Sequence, residues 1–343
     1  MFRRPTTFVV GAGASAELGL PVGSELRNTI GHLVNISFED GYSQTTGNPE
    51  ICEALRLEVR QPSGHAGNIN PYIHSARQMS NALPLSLSID NYLETHQNDS
   101  KVVLVGKLAI AKAILGAESA SKLAYDWREQ DGPDLSGVSD TWLVRFFQMA
   151  SAGVTVSQVG EIFKNITLII FNYDRCVEHF IIHALKTYYG VDETQATAIT
   201  ATLRIFHPYG TVGPLAQQGH SGVRFGAEKQ GEGLLALSRS IQTFSERIED
   251  NDDLQNAREW VRTSEQIVFL GFAYHQQNLE LIRVQAPSEI TRVIGTSLGI
   301  SPSDCEVIKE ALPGYLHLHG ASIEMIGVTS SAILEQKWLT LTA

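Results

Sequence analysis

The sequence predicts an α/β fold: a doubly wound, mostly parallel sheet carrying a large helical insertion. Three observations carry that expectation. Short apolar, β-branched runs recur along the chain, each ending in small or polar residues and leading into a helix, as in a sheet buried on both faces. The first run stands at the amino end and the others return only after residue 165, with a long, mostly helical stretch between them. Finally, 343 residues with 43% hydrophobic and 18% charged side chains can bury a large core, which excludes disordered, collagen-like and coiled-coil chains. At ~150 residues per domain, about two domains are expected.

Residues 6–10 (TTFVV) read as a buried strand ending in Gly11-Ala12-Gly13-Ala14-Ser15, a glycine turn into a short helix over 14–18 that Gly19 and Pro21 stop. Helices are expected over 24–34, 50–60, 88–97, 140–150 and 156–164, with Ser88 as an N-cap. Residues 101–128 form the longest candidate, apolar nearly all round and hence a buried helix. Residues 41–48 and 61–71 read as loops. Strand signals return at 167–171, followed by Asn172-Tyr173-Asp174 and a helix over 175–189. A short strand over 203–206 ends at His207-Pro208-Tyr209-Gly210. Residues 238–265 are helical with a break at 250–253, and 266–270 is a strand ending at Gly271 before a helix over 276–284. A strand over 290–294 ends at Gly295-Thr296-Ser297, and a helix follows over 302–312. The expected domains are a discontinuous α/β unit, 1–22 and 165–343, and a helical insertion or cap, 23–164. There is no internal repeat or low-complexity tract.

The formal net charge of −11 disfavours nucleic acid or an anionic membrane as partner, since both recruit basic faces. Cys52, Cys176 and Cys305 stand more than a hundred residues apart, so no CxxC pair and no four-cysteine zinc ribbon exists. An odd, sparse count points to a reducing compartment. The opening MFRRPTTFVVGAGAS has two arginines and an apolar run, but the run is short and turns into the glycine loop, so it reads as a strand rather than a signal peptide. The most apolar stretches fall short of the ~20 residues of a membrane span. A cytoplasmic protein is expected.

In an open α/β sheet the ligand sits beyond the carboxyl ends of the strands, where the polar clusters fall. Gly11 and Gly13 allow close backbone approach, and the helix N-terminus beyond them offers N–H groups to a phosphate; a tight turn needed for packing alone explains them equally. A dinucleotide fingerprint is incomplete, with Ala16 at the third glycine position. Ser15 is either a ligand contact or a helix cap. Asn172 and Asp174 are candidates for the site as well as common turn and cap residues. His207, at a strand end, is the candidate general base, with His317 and His319 on a further strand-like segment as rivals or as a weak metal pair. His179 and His183 are spaced i, i+4, but HFIIH lacks a zincin glutamate and reads as packing. Residues 271–275 and 295–298 are positioned to wrap an adenosine or simply to turn into helices. No GxSxG, P-loop or EF-hand sequence occurs.

Taken in order, Gly11-Ala12-Gly13-Ala14-Ser15 with Gly19-Leu20-Pro21, Phe171-Asn172-Tyr173-Asp174, His207 and Gly295-Thr296-Ser297-Leu298 resemble the sirtuin-like family. The resemblance covers about half the chain and implies a Rossmann-like sheet that binds NAD as substrate and breaks its nicotinamide–ribosyl bond. It implies that Gly11, Ala12, Gly13 and Ser15 hold the pyrophosphate and nearby ribose. Asn172 and Asp174 would line the nicotinamide-ribose pocket, His207 would be the base, and Gly271, Thr296 and Ser297 would lie near the adenosine half. No metal is expected.

The chain departs from the deacylase pattern in its absent zinc-ribbon cysteines, in Gly19-Leu20-Pro21-Val22-Gly23, and in a histidine not directly followed by glycine. It is similar in these respects to bacterial sirtuin-like effectors of anti-phage defence. The resemblance therefore implies hydrolysis of NAD to nicotinamide and ADP-ribose. The alternatives are an NAD-dependent deacylase or ADP-ribosyltransferase, and a non-catalytic module sensing NAD or ADP-ribose. Such a hydrolase must be silent until needed, so control is expected from homo-oligomerisation or a separate regulatory partner such as a sensor or ATPase, acting on residues 23–165.

Overall fold

Eight strands form in the computed structural model, which describes residues 1–41, 43–219, 221–249 and 251–343. They are β1 (Thr6–Val10), β2 (Ser37–Glu39), β3 (Ser43–Thr46), β4 (Ile166–Ile170), β5 (Arg204–Phe206), β6 (Gln266–Leu270), β7 (Arg292–Thr296) and β8 (Ser322–Ile326). Six of them make one sheet in the order β5-β4-β1-β6-β7-β8, with every pairing parallel. In β1, β4 and β6 all five positions are buried, the pattern of strands covered on both faces. Val10 lies beside Ile170 and Leu270 in register, so these three strands end level with one another. This is a Rossmann-like sheet with helices on both sides.

The two faces follow the period-two alternation of the strands. Val9, Ile169, Ile267 and Phe269 join the core that also contains Ile51, Leu55, Met79 and Leu108 from the inserted helices. Phe8, Val10, Leu168, Ile170 and Leu270 face the other way, onto Trp142, Phe146, Phe180 and Leu334. The inserted segment thus has no core of its own. Most of its helices cover one face of the sheet, whereas the helix Trp142–Ser151 covers the other.

Several elements differ from expectation for identifiable reasons. The long buried helix runs over Ser100–Ala120 and begins at Asp99, whose carboxylate accepts the N–H groups of Lys101 and Val102. A helix over Asn70–Ala82 starts inside the expected loop, because Pro71 sits in its first turn, where proline costs no hydrogen bond. Ser37–Glu39 and Ser43–Thr46 form the small antiparallel pair β2–β3, the second strand falling within the expected loop over 41–48. Tyr42, in that loop, and Asp250, in the expected helix break, lie outside the described residues. The segment over 316–320 is a helix end and turn, not a strand, with His317 closing the helix at φ 50°. The sixth sheet strand, β8, is a half-exposed edge whose sequence SIEMI carries too few apolar residues to read as a buried run.

Candidate functional site

Because all six strands are parallel, their carboxyl ends share one edge. The chain leaves β1 toward β4 and β5 on one side, then returns to β6 on the other, so the order reverses between β1 and β6. Ligands of open α/β sheets sit at such a reversal. Here a cleft of about 1180 Å³ opens, floored by Gly11–Gly13, Phe171, Asn172, Gly271, Phe272 and Thr296. Leu87, Ser88, Asp90, Asn91 and Glu94 of the insertion form one wall, and Leu298–Ile300 and Val328–Ser330 border it elsewhere. The insertion therefore encloses the sheet edge.

At the floor, backbone meets backbone. Gly11 N–H donates to Leu270 O (2.9 Å) and Gly13 N–H to Gly271 O (3.0 Å). A Cβ on Gly13 would lie 2.9 Å from Gly271 Cα, and one on Gly271, whose φ is +56°, would lie 2.0 Å from Ala14 N. The glycines let two adjacent strand-to-helix turns touch. The N–H groups of Gly11 and Gly13, expected for a pyrophosphate, are used in that contact. Ala12 lines the cleft at the first helical position, where helix geometry provides no acceptor for the N–H.

Ser15, Asn172 and Asp174 come together from segments some 160 residues apart in one hydrogen-bonded chain. Asn172 Nδ2 donates to Gly11 O (3.1 Å) and to Ser15 Oγ (2.7 Å), and Ser15 Oγ donates to Asp174 Oδ2 (3.0 Å). Asp174 Oδ1 accepts Cys176 N–H at the start of the helix Cys176–Tyr189. Gly11 O can only accept, so the amide orientation is fixed: both N–H groups are committed and Oδ1 is the part left for a ligand. Asn172 lines the cleft, while Ser15 and Asp174 are buried behind it. Burial pushes the Asp174 carboxyl up, opposed by the Cys176 and Ser15 bonds and by His207.

His207 is placed differently from expectation. It lines a separate, smaller pocket together with Glu178, and Tyr209 takes the place on the main cleft. The turn explains this: Gly210 N–H donates to His207 O (3.0 Å), with Pro208 and Tyr209 at its centre. His207 Nδ1 lies 2.9 Å from Asn172 O and Nε2 lies 3.0 Å from Glu178 Oε1. Both neighbours are acceptors, so both nitrogens donate and the ring is an imidazolium facing a carboxylate. Burial works against that charge, but Glu178 and the Asn172 carbonyl outweigh it and raise the pKa. Both ring nitrogens are thus engaged by protein groups, and His207 does not line the main cleft. His317 and His319 precede β8 and so stand at the opposite, amino edge of the sheet; neither is a rival base.

Thr296 lines the cleft, but its hydroxyl accepts Gly271 N–H (2.8 Å) and steadies the turn after β6. Ser297 is buried and donates its N–H to Ile326 O (2.7 Å); its neighbours Leu298 and Gly299 border the cleft. His179 stacks with Tyr125 and Phe225 while His183 meets Tyr125 and His179 edge-on, and burial lowers their pKa values to about 3 and about 4. Among the described residues, no group of three or more His, Cys, Asp or Glu is arranged to hold a metal.

Sequence reasoning missed the opposite wall. Tyr173 OH donates to Asp90 Oδ1, which anchors the helix Ile89–Thr95 to the segment carrying Asn172. Burial pushes the Asp90 carboxyl up, against the bond from Tyr173. Tyr209 OH donates to Asn278 Oδ1 (2.7 Å), and the rings of Phe171, Phe272 and Tyr209 pack at 5.1 and 6.0 Å. Four acids line the cleft (Glu17, Asp90, Glu94 and Glu280) and, among the described residues, no Lys or Arg does. Glu17 accepts N–H groups of Trp142 (2.7 Å) and Ser331 (2.9 Å), joining the starts of two helices. Ser88, read in the sequence only as a cap, does accept Asn91 N–H (3.1 Å), but nothing local told that its helix would face the sheet edge.

The insertion is also pinned through a buried ion pair. Arg175 Nε and Nη2 donate to Glu118 Oε1 (3.0 Å) and Oε2 (2.5 Å), and Arg175 Nη1 donates to Val223 O (2.8 Å). A scan against protein-family models gives no match to this chain, and a search of curated proteins gives none.

Proposed function

We propose that the protein is an NAD glycohydrolase that converts NAD and water to nicotinamide and ADP-ribose. The observation carrying this reading is the Asn172 amide, locked with Oδ1 available to a ligand, on the floor of a cleft at the point where the strand order reverses. The cleft's size exceeds the ~300–1,000 Å³ of common small-molecule sites, giving room for a dinucleotide. Phe171, Phe272 and Tyr209 supply ring faces for its bases.

In this reaction the C1′–N bond breaks and its electron pair leaves with nicotinamide, which becomes neutral. The ribosyl carbon develops oxocarbenium character, water oxygen bonds to it, and one proton is released. Asn172 Oδ1 accepts a hydrogen bond from the attacking water or a ribose hydroxyl and presents the negative end of its dipole to the growing charge. The lattice through Ser15 and Asp174 keeps that dipole from turning.

The activity would be held silent by oligomerisation or a partner protein, consistent with a defence effector. Support for external control comes from Leu85, Leu87 and Leu298, which are 91%, 73% and 64% exposed; the last two line the cleft itself. The commitment of both His207 nitrogens favours a second reading, a module that binds NAD or ADP-ribose without turnover.

The test is nicotinamide release from NAD by the purified full chain, alone and with products of neighbouring genes, alongside NAD binding by calorimetry. Hydrolysis without an acyl peptide is expected, falling about 10²-fold or more in Asn172→Ala. Binding without turnover under every condition selects the sensing module, and strict dependence on an acyl peptide selects a deacylase.

A further inference from the structure

We infer that Asp90, supplied by the helical insertion, is the specificity-determining group that receives the positively charged end of the ligand. The inference rests on the NAD reading of the cleft and adds to it the orientation of the ligand and its preferred redox form. Asp90 lines the cleft from the helix Ile89–Thr95, and Tyr173 OH donates to its Oδ1. Tyr173 follows Asn172 directly, so one short segment of the sheet edge carries the floor amide and the hydroxyl that holds the wall carboxylate. That hydroxyl is a donor, which together with Ser88 favours the ionised form of Asp90 against the burial that pushes its carboxyl up.

The other acids of the cleft are differently engaged. Glu17 accepts two backbone N–H groups, Glu94 accepts Ser245 N–H (3.2 Å) and Gln97 Nε2 (3.1 Å), and Glu280 pairs with Arg283 (2.8 Å). No Lys or Arg among the described residues lines the cleft to neutralise Asp90. His275 is the nearest cationic candidate on the lining, and it is exposed. A carboxylate in this setting attracts a cationic heteroaromatic ring. The oxidised nicotinamide carries that charge; the reduced ring is neutral and otherwise nearly the same shape. The Asp90 end of the cleft thus takes the nicotinamide, leaving the adenosine to the end bordered by Leu298–Ile300 and Val328–Ser330.

The experiment compares the affinities of the full-length protein for NAD⁺ and NADH by calorimetry, which reads binding independently of turnover. NAD⁺ is expected to bind about tenfold more tightly, a difference consistent with one charge pair at intermediate dielectric. Asp90→Asn should bring the ratio to about one, Tyr173→Phe should lower it partway, and Glu280→Gln should leave it unchanged. Thermal unfolding of each variant checks that it folds, and the two substitutions at Asp90 and Tyr173 guard against failure of either. Equal affinities in the wild type, or a ratio that Asp90→Asn does not alter, overturn the inference while leaving the NAD reading in place. Absence of binding by either dinucleotide overturns both.

Discussion

Replacing Glu118 by Gln should destabilise the protein far more than its near-identical shape suggests. Glu118 and Arg175 are 0% and 1% exposed. Arg175 donates its backbone N–H and Nε to Glu118 Oε1 and Nη2 to Oε2, while Gly226 N–H also donates to Oε2 (3.0 Å). A glutamine keeps one oxygen but sets its NH₂ group against the donors that Oε2 now satisfies, and it leaves the guanidinium without a counter-charge. Breaking a buried pair from one side costs about 3–5 kcal/mol. At about 2.1 cal/mol/K of unfolding entropy per residue, a chain of this size should lose about 4–7 °C in Tm. The assay is calorimetric unfolding of Glu118→Gln, Arg175→Met and the double variant Glu118→Leu/Arg175→Met. The double variant should be more stable than the sum of single losses allows, because it removes both charges together. A loss under about 1 °C for Glu118→Gln, or strict additivity in the cycle, would refute the account of Glu118 as the counter-charge on which buried Arg175 depends.

The His207–Glu178 pair makes stability depend on pH in a defined direction. Burial raises the Glu178 carboxyl, but His207 more than reverses this, so its pKa is lowered and its contribution is present above about 4.3 and lost as pH falls through the folded value. The raised His207 contributes fully below about 6.5 and loses that contribution as pH rises through its folded value. The Tm difference between wild type and Glu178→Gln should therefore peak between about pH 4.5 and 6.5 and shrink on both sides; a flat difference from acid to alkaline pH rejects the ion pair. Thiol titration should find one reactive cysteine in the native protein, half-buried Cys305, and three after denaturation. Cys52 and Cys176 are buried and their thiols are pushed up by that burial, so a second fast thiol would contradict the packing.

The sheet was legible where burial is uniform. TTFVV, ITLII and QIVFL are short runs dominated by apolar or β-branched residues because β1, β4 and β6 lie covered on both faces, and their length, β-branching and flanking turn residues mark them as strands. Toward the edge the signal fades with the burial, and β8 was invisible for that reason. Most of the inserted helices were readable one by one from their apolar periodicity, though not the helix Asn70–Ala82, and their destination was not. That Trp142–Ser151 covers one face while Ser100–Ala120 covers the other is decided by long-range packing, on which helical periodicity is silent. The Glu118–Arg175 pair belongs to the same class: each residue looks like an ordinary surface charge until the fold buries both.

The site was legible in its floor and not in its wall, and the difference is physical. Asn172, Gly11 and Gly13 sit at strand ends, and a parallel sheet sends every strand end to one edge, so recognising the strands was enough to bring them near each other. Asp90 reaches that edge only because a helix some 80 residues away in the chain folds back over it. The choice between His207 and Tyr209 depended on how one four-residue turn projects its side chains, and the turn's Pro-Tyr-Gly sequence does not encode which of them meets the cleft. That outcome changes the chemistry more than the address. Loss of nicotinamide creates an electrophile that water attacks readily, so the demanding task is holding the developing positive charge rather than activating the nucleophile. A fixed amide oxygen meets that demand and an imidazolium behind the floor does not, while the Asp90 carboxylate holds the cationic ring before it leaves. The residues best suited to the proposed reaction are therefore Asn172, which the sequence marked, and Asp90, which only the folded chain brings opposite it.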